Sequence, residues 1–133
     1  MLRLVPALLL ALFAAGCQST NPGVPDTQED IPVPRGYTRA PDTEETKSYY
    51  ENHEKFRNYR ITYRGEGRSV QTVSDFYQHQ MPVNGWDLEN ATPDADGVVR
   101  TLRYTKGQER ATVTAKLGNT EDFILVTVEI RLK

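Results

Sequence analysis

The sequence predicts an α+β domain: an antiparallel β-meander of about five to six strands with one amphipathic helix packed on one face, preceded by a disordered tether. Apolar and polar residues alternate along several stretches, most clearly from Ile124 to Leu132. One stretch, residues 70–81, instead has apolar residues at helical spacing. Short Gly- and Asn-containing turns separate the stretches, which favours antiparallel neighbours over crossover connections.

Composition limits the range of functions. The chain has 133 residues with a formal net charge of −2, which fits one small domain with appendages and gives no reason to expect a nucleic-acid partner. Its only cysteine, Cys17, excludes an internal disulfide and a multi-cysteine metal site within one chain. We expect no cofactor.

Residues 1–16 have the order of a secretory signal peptide: Arg3, an apolar run over residues 4–15, and then small residues. The run is shorter than the 20 or so residues that span a bilayer. The sequence Ala14-Ala15-Gly16-Cys17 resembles the lipobox of bacterial lipoproteins, which implies cleavage before Cys17 and attachment of acyl chains to it. An ordinary signal peptide with an incidental cysteine is the alternative.

The resemblance to a lipobox implies that the protein lies in the bacterial cell envelope, held on a membrane through acyl chains on Cys17. Gln18 resembles the residue found in lipoproteins exported to the outer membrane, so that membrane is favoured if the source is Gram-negative.

Residues 17–42 are expected to form an acylated cysteine followed by a Pro-rich and acidic tether. Residues 18–30 are predicted to be flexible, with an r.m.s. reach of about 20 Å. In "DIPVPRGY", Ile31, Val33 and Tyr37 are expected to dock on the domain edge, because the prolines keep the backbone extended. A proline-rich ligand for a partner is the alternative.

The globular domain is assigned to residues 43–133. "ETKSYYEN" is the predicted hairpin partner of the strand "FRNYRITYRGEG", with the turn at residues 52–55. Ser69 is the predicted N-cap of the helix, which should stop near Gln80 or Met81 because a proline follows. Its apolar face comprises Val70, Val73, Phe76, Tyr77 and Met81.

The remaining strands follow the turn Asn84-Gly85. Trp86 and Leu88 open the first of them, and two turns at residues 106–108 and 118–120 separate the others. On these strands Val98, Leu102 and Tyr104 lie on one face. In the next strand, polar residues alternate with Ala111, Val113, Ala115 and Leu117, and the strongest strand signal comes from Ile124, Val126, Val128, Ile130 and Leu132.

Three stretches, "DIPVPRGY", "YRITYRG" and "FYQHQMPVNGWDL", resemble a loose group of small bacterial lipoproteins of unknown function. The group shares a Pro-rich entry, a strand ending in Tyr-x-Gly, a helix carrying Phe-Tyr and Met, and a Gly-Trp turn. The resemblance covers roughly residues 30–132. It implies the fold and carries no function.

Candidates for chemistry are weak, and no catalytic or metal-binding residue is predicted. Asp75 and His79 are spaced like two metal ligands on a helix, but a solvated pair is the simpler interpretation. His53 lies in a charged turn. The "GEGR" motif at residues 65–68 precedes a helix and could cradle phosphate, but Gly-x-Gly alone is a poor signal. Trp86 and the tyrosines are expected in the core and at its rim.

The sheet face opposite the helix is predicted to be polar and locally basic. Its candidate contact residues are Arg60, Arg64, Arg103, Lys116 and Arg131, interleaved with Thr62, Thr112, Thr114 and Thr127. The sequence therefore favours a non-enzymatic binding or accessory module that contacts an anionic envelope polymer or an acidic protein. A small envelope hydrolase using carboxylates or a metal is the alternative.

Overall fold

The computed structural model describes residues 23–66, 69–93, 99–120 and 122–133. Several predictions therefore lie outside the described residues: the signal peptide 1–16, the attachment site Cys17, residues 18–22 of the tether, Gly67 and Arg68 of the GEGR motif, and Val98. The elements are β1 (Thr38–Arg39), β2 (Tyr49–Asn52), β3 (Arg57–Glu66), α1 (Val70–Val83), β4 (Asp87–Pro93), β5 (Val99–Lys106), β6 (Glu109–Leu117) and β7 (Phe123–Leu132).

The strands form one seven-stranded antiparallel sheet in the order β1-β3-β7-β6-β5-β4. Strand β2 also pairs with β3 and shares the edge that β1 occupies. The α+β class with one helix on a sheet is confirmed, but the sheet has seven strands rather than the predicted five to six, because the two-residue strand β1 joins it. The meander holds for β4 to β7 only, because β3 pairs with the last strand, and α1 connects β3 to the opposite edge of the sheet.

Helix α1 begins at its predicted cap, where the Ser69 hydroxyl accepts a hydrogen bond from the Thr72 N–H at 3.1 Å. It ends at Val83, beyond the predicted stop, because Pro82 falls in the last turn. A proline there removes one backbone bond without blocking the turn that follows. The residues buried on α1 are Val70, Val73, Ser74, Tyr77 and Met81. Phe76 is only half-buried, contrary to its predicted place on the core face.

The predicted hairpins form, and the turn between β2 and β3 comprises residues 53–56 rather than the predicted 52–55. Tyr49 pairs with Arg60 and Asn52 with Arg57 across the turn of β2 and β3. The turn between β5 and β6 closes at Gly107, whose φ of 58° favours glycine. Among the residues that the structure describes, no helix has the length and apolar character needed to cross a bilayer.

Helix α1 contacts β4, β5 and β6, and residues 24–37 cover β3 on the same face of the sheet. We call residues 24–37 the strap. Ile31 and Tyr37 are buried in the main core cluster, and Val33 packs against it, so their predicted docking is confirmed.

The predicted flexible tether is corrected where the structure describes it. Val24 is buried in the core cluster, and Asp30 forms ion pairs with Arg57 and Lys106. One helix is too narrow to cover the whole sheet, so β3 would otherwise expose its apolar side chains. The strap supplies the missing cover, and the packed domain begins before Thr43.

Candidate functional site

The face of the sheet opposite α1 and the strap, which we call the open face, is organised in rows across the strands. Residues in direct register lie on the same side of a sheet. One row consists entirely of threonines, in the order Thr62, Thr127, Thr114, Thr101 and Thr92. The hydroxyls of Thr62 and Thr127 are 2.9 Å apart and hydrogen-bonded. The threonines were visible in the sequence, but their alignment follows from the register.

A shallow cavity of about 210 Å³ lies over this row. Residues 45 and 46, from the loop between β1 and β2, form one wall, and the strands β3, β7 and β6 form the floor. The charged side chains that line it are Glu45, Arg60, Lys116 and Glu129, and the lining also includes Thr46, Thr112 and Leu125. The cavity is therefore a polar depression in a sheet face.

Each cation of the cavity has a carboxylate partner. Arg60 is 3.2 Å from Glu129, and Lys116 forms a hydrogen-bonded ion pair with Glu45. The hydrogen bond from Lys116 and its positive charge lower the pKa of Glu45. The lining therefore has balanced charge, because two cations face two carboxylates. The pair Lys116–Glu45 also joins the loop to the sheet.

The other predicted contact residues lie outside the cavity. Arg131 is 2.8 Å from Glu129 and donates a hydrogen bond to the Tyr49 hydroxyl at 3.3 Å. Arg64 lies over the ring of Phe123, 4.0 Å from its centroid. Arg103 is exposed and, in the part of the chain that the structure describes, has no carboxylate partner.

The open face was predicted to be basic, but in the structure it carries both cations and carboxylates. The sequence pattern identified the cations on alternate positions of the strands, and all five predicted residues do belong to this face. It missed Glu129 and Glu45. Glu129 has the same strand parity as Arg131 and could have been counted, whereas Glu45 reaches the face only through the fold of its loop.

The weaker sequence candidates have structural roles in the described residues. His79 contacts the backbone oxygen of Asp75 at 2.8 Å, and the Asp75 carboxylate accepts from Gln71 instead. The ring of His53 stacks on Phe56 at 4.5 Å in the exposed turn. Across the described residues, no group of three or more His, Cys, Asp or Glu is placed to hold a metal ion.

The first glycine of the GEGR motif has a packing role. A Cβ atom on Gly65 would lie 2.4 Å from the ring of Tyr37, so only glycine lets this ring pack flat against β3. The Trp86 side chain is buried, as predicted, and donates to the Asp30 backbone oxygen at 3.1 Å.

An ionic cluster at the other end of the sheet was not predicted. Arg57 binds Asp30 and Glu109 at once, at 2.8 Å and 2.6 Å, and Lys106 approaches Asp30 at 3.0 Å. Burial opposes ionisation of Asp30, but hydrogen bonds and positive charge from Arg57 and Lys106 outweigh it and lower the pKa. Asp30, Arg57 and the Lys106–Glu109 turn come from three separate parts of the sequence, so no local pattern could have grouped them.

Comparison with protein families finds one match: a family model described as START domain-like aligns with residues 51–122, which is more than half of the chain. This region runs from β2 through α1 to the turn before β7. Searches of curated proteins and of solved structures find no match.

Proposed function

The chain belongs to the START domain-like family, and we propose that it is a lipid-anchored, non-enzymatic binding module of the bacterial cell envelope. The observation that carries the proposal is the open face, with its shallow polar cavity over the threonine row. The opposite face is filled by α1 and the strap, so this is the broad surface of the sheet that a ligand can reach.

The anchoring part of the proposal rests on the sequence. An apolar run followed by Gly16 and Cys17 is the arrangement in which lipoproteins are cleaved and acylated. Several acyl chains on Cys17 would hold the protein on a membrane almost permanently, because each buried CH₂ contributes about 0.8 kcal/mol. Gln18 favours the outer membrane for a Gram-negative source.

Binding is favoured over hydrolysis by the state of the carboxylates. Of the three acids at the cleft near the β5–β6 turn, Asp30 and Glu109 are bound to Arg57, and Glu54 is exposed in the turn between β2 and β3. A pair of catalytic acids needs one carboxyl with a raised pKa, whereas the pKa of Asp30 is lowered. In the open-face cavity, Glu45 and Glu129 are likewise paired with cations.

The proposed ligand is an anionic envelope component. Arg64 and Arg103 are the residues that would contribute most to its binding affinity. These two cations have no carboxylate partner among the described residues, so a ligand need not displace one. Arg60, Lys116 and Arg131 would contribute less, because their carboxylate partners compete. Such contacts weaken over a Debye length of about 8 Å at physiological salt.

Co-sedimentation with isolated envelope material tests this assignment. The mature chain from residue 17, with Cys17→Ser to remove the anchor, is compared with a variant that adds Arg64→Gln and Arg103→Gln. The matched control adds Arg35→Gln and Lys55→Gln, two exposed cations away from the open face. We expect salt-sensitive binding that the first pair weakens and the control pair leaves unchanged. Equal binding by both variants would remove the open face from the proposal.

Anchoring is tested separately on the full precursor. Cys17→Ser should abolish acylation and either release the processed protein or stall the precursor. A Cys17→Ser protein that stays on the membrane and migrates like the unmodified one would contradict the lipoprotein assignment.

A further inference from the structure

The strap determines how many residues separate the proposed anchor from the packed domain. Seven residue steps separate Cys17 from Val24, the first buried residue of the strap. At 3.3–3.6 Å per residue, this chain spans at most about 25 Å. Without the strap, the free chain would run to Thr38 in β1, which is 21 steps and about 70 Å.

The strap is attached to the domain along its length. Near its start, the buried Arg39 side chain donates to the Val24 backbone oxygen at 3.0 Å and to Asp26 at 2.9 Å. In its middle, Asp30 binds Arg57 and Lys106.

Its far end is held by packing. The Tyr37 side chain, 7% exposed, lies against Gly65 of β3. Ile31 is buried between these two regions. The attachment therefore combines a cation at the start, an ionic cluster in the middle and apolar burial at the end.

The charges of this attachment are insensitive to the pH of most environments. The lowered pKa of Asp30 keeps its carboxylate ionised well into the acid range, and arginine does not lose its proton. Mild acidification would therefore not release the strap.

We propose that the seated strap keeps the domain against the membrane, so that its ligand is one presented at the lipid surface. This inference rests on the proposed acylation of Cys17. We call residues 17–24 the linker. A domain held by a linker of at most about 25 Å cannot reach partners that stand further from the bilayer than its own diameter plus that length. The open face consequently samples the membrane surface and material lying directly on it.

Energy transfer in vesicles tests the inference. Trp86 is the only tryptophan of the chain, and it serves as donor to a dansyl-labelled phospholipid headgroup in vesicles carrying the acylated full-length protein. Two variants receive the same 20-residue Gly/Ser insertion at different places. One insertion lies before the strap, between Gly23 and Val24, and the other lies late in the strap, between the exposed residues Arg35 and Gly36.

The two insertions separate a seated strap from a free one. With the strap in place on the domain, only the first insertion lengthens the linker, whose greatest possible span rises from about 25 Å to about 90 Å. Transfer should then fall at least about twofold for the first insertion, because it depends steeply on distance, and should stay unchanged for the second. A protein with the same segment appended after Lys133 controls for added mass.

Other outcomes are distinct. Equal loss of transfer for both insertions would overturn the inference, because it would show that the strap does not hold the domain. Unchanged energy transfer for both insertions would overturn it as well, because the length of the linker would then not determine the distance between Trp86 and the headgroups. A protein that fails to remain on vesicles, or that binds equally well with Cys17→Ser, would instead refute the proposed anchor.

Discussion

Tyr63 donates a hydrogen bond from its phenol to the backbone oxygen of Asp26, at 2.7 Å and across 37 residues of sequence. Tyr59, four residues earlier on the same face of β3, makes the corresponding bond to the Pro25 oxygen at 3.3 Å. Burial raises the pKa of Tyr63, so the phenol remains a donor over the whole physiological range. The polar ends of two core tyrosines are thus matched to the backbone of the strap.

Tyr63→Phe should lower the free energy of unfolding by about 1 kcal/mol, because a buried hydrogen bond is lost while the ring remains. Tyr77→Phe is the matched control. Tyr77 is fully buried on α1, and its hydroxyl has no hydrogen-bond partner in the described part of the chain. Its removal should be neutral or slightly stabilising. Denaturant unfolding of both variants measures the difference, and equal costs would contradict the role given to the Asp26 contact.

Asp30→Asn should cost about 1–3 kcal/mol at neutral pH, because the charged partner of Arg57 and Lys106 is lost with little change in shape. The pKa of Asp30 in the folded state is below its ordinary value of 3.8. Its contribution is therefore fully present above that value and is lost as the pH falls through the folded pKa. The stability difference between the two proteins should be constant from pH 5 to 7 and shrink below about pH 4. A difference that grows on acidification would contradict this assignment.

Gly65→Ala should destabilise the protein by about 1–3 kcal/mol, since the new Cβ would overlap the ring of Tyr37. Tyr37→Ala removes that ring, so adding Gly65→Ala to it should cost little more than Tyr37→Ala alone. A double-mutant cycle measured by thermal or chemical unfolding gives this coupling. Additive costs would show that Gly65 is needed for a reason other than the Tyr37 ring.

Phe76→Ala should cost about 1–2 kcal/mol, less than the 3–5 kcal/mol of a fully buried aromatic residue, because Phe76 is only half-buried. Its ring packs edge-on against Tyr77 at 5.1 Å. Tyr77→Ala, at the neighbouring fully buried position, should show the larger cost. Equilibrium denaturation ranks the two, and a reversed order would place the core face of α1 elsewhere.

The periodic elements were predictable because their signal is local. The alternation of apolar and polar residues in β6 and β7 indicates which side of each strand is buried. The Ser69 cap indicates where the helix begins. Neither signal depends on the rest of the chain. Strand β1 was not predictable, since its two residues carry no period. The pairing of β3 with β7 was also hidden, because nothing local in Tyr59–Glu66 points to its partner.

In the strap and the open face too, contacts between residues distant in sequence could not be predicted from local patterns. Ile31 and Tyr37 are apolar and could be expected to dock, whereas Asp30 looks like part of a solvated acidic run until Arg57 and Lys106 are brought to it. Likewise, strand parity places Arg60 on the open face, but only the register and the loop fold show that Glu129 and Glu45 balance the cations there.

The pairing of β3 with β7 also has a consequence for the order in which the strands pair during folding. Thr62 and Thr127 meet across 65 residues, whereas β4 to β7 are joined through successive neighbours. Closing a long loop costs entropy before its contacts repay it, so the local hairpins should form first and β3 should join late. Until β3 joins, the apolar side chains of Tyr59, Ile61 and Tyr63 are uncovered, so the folding chain is most open to aggregation before this last pairing forms.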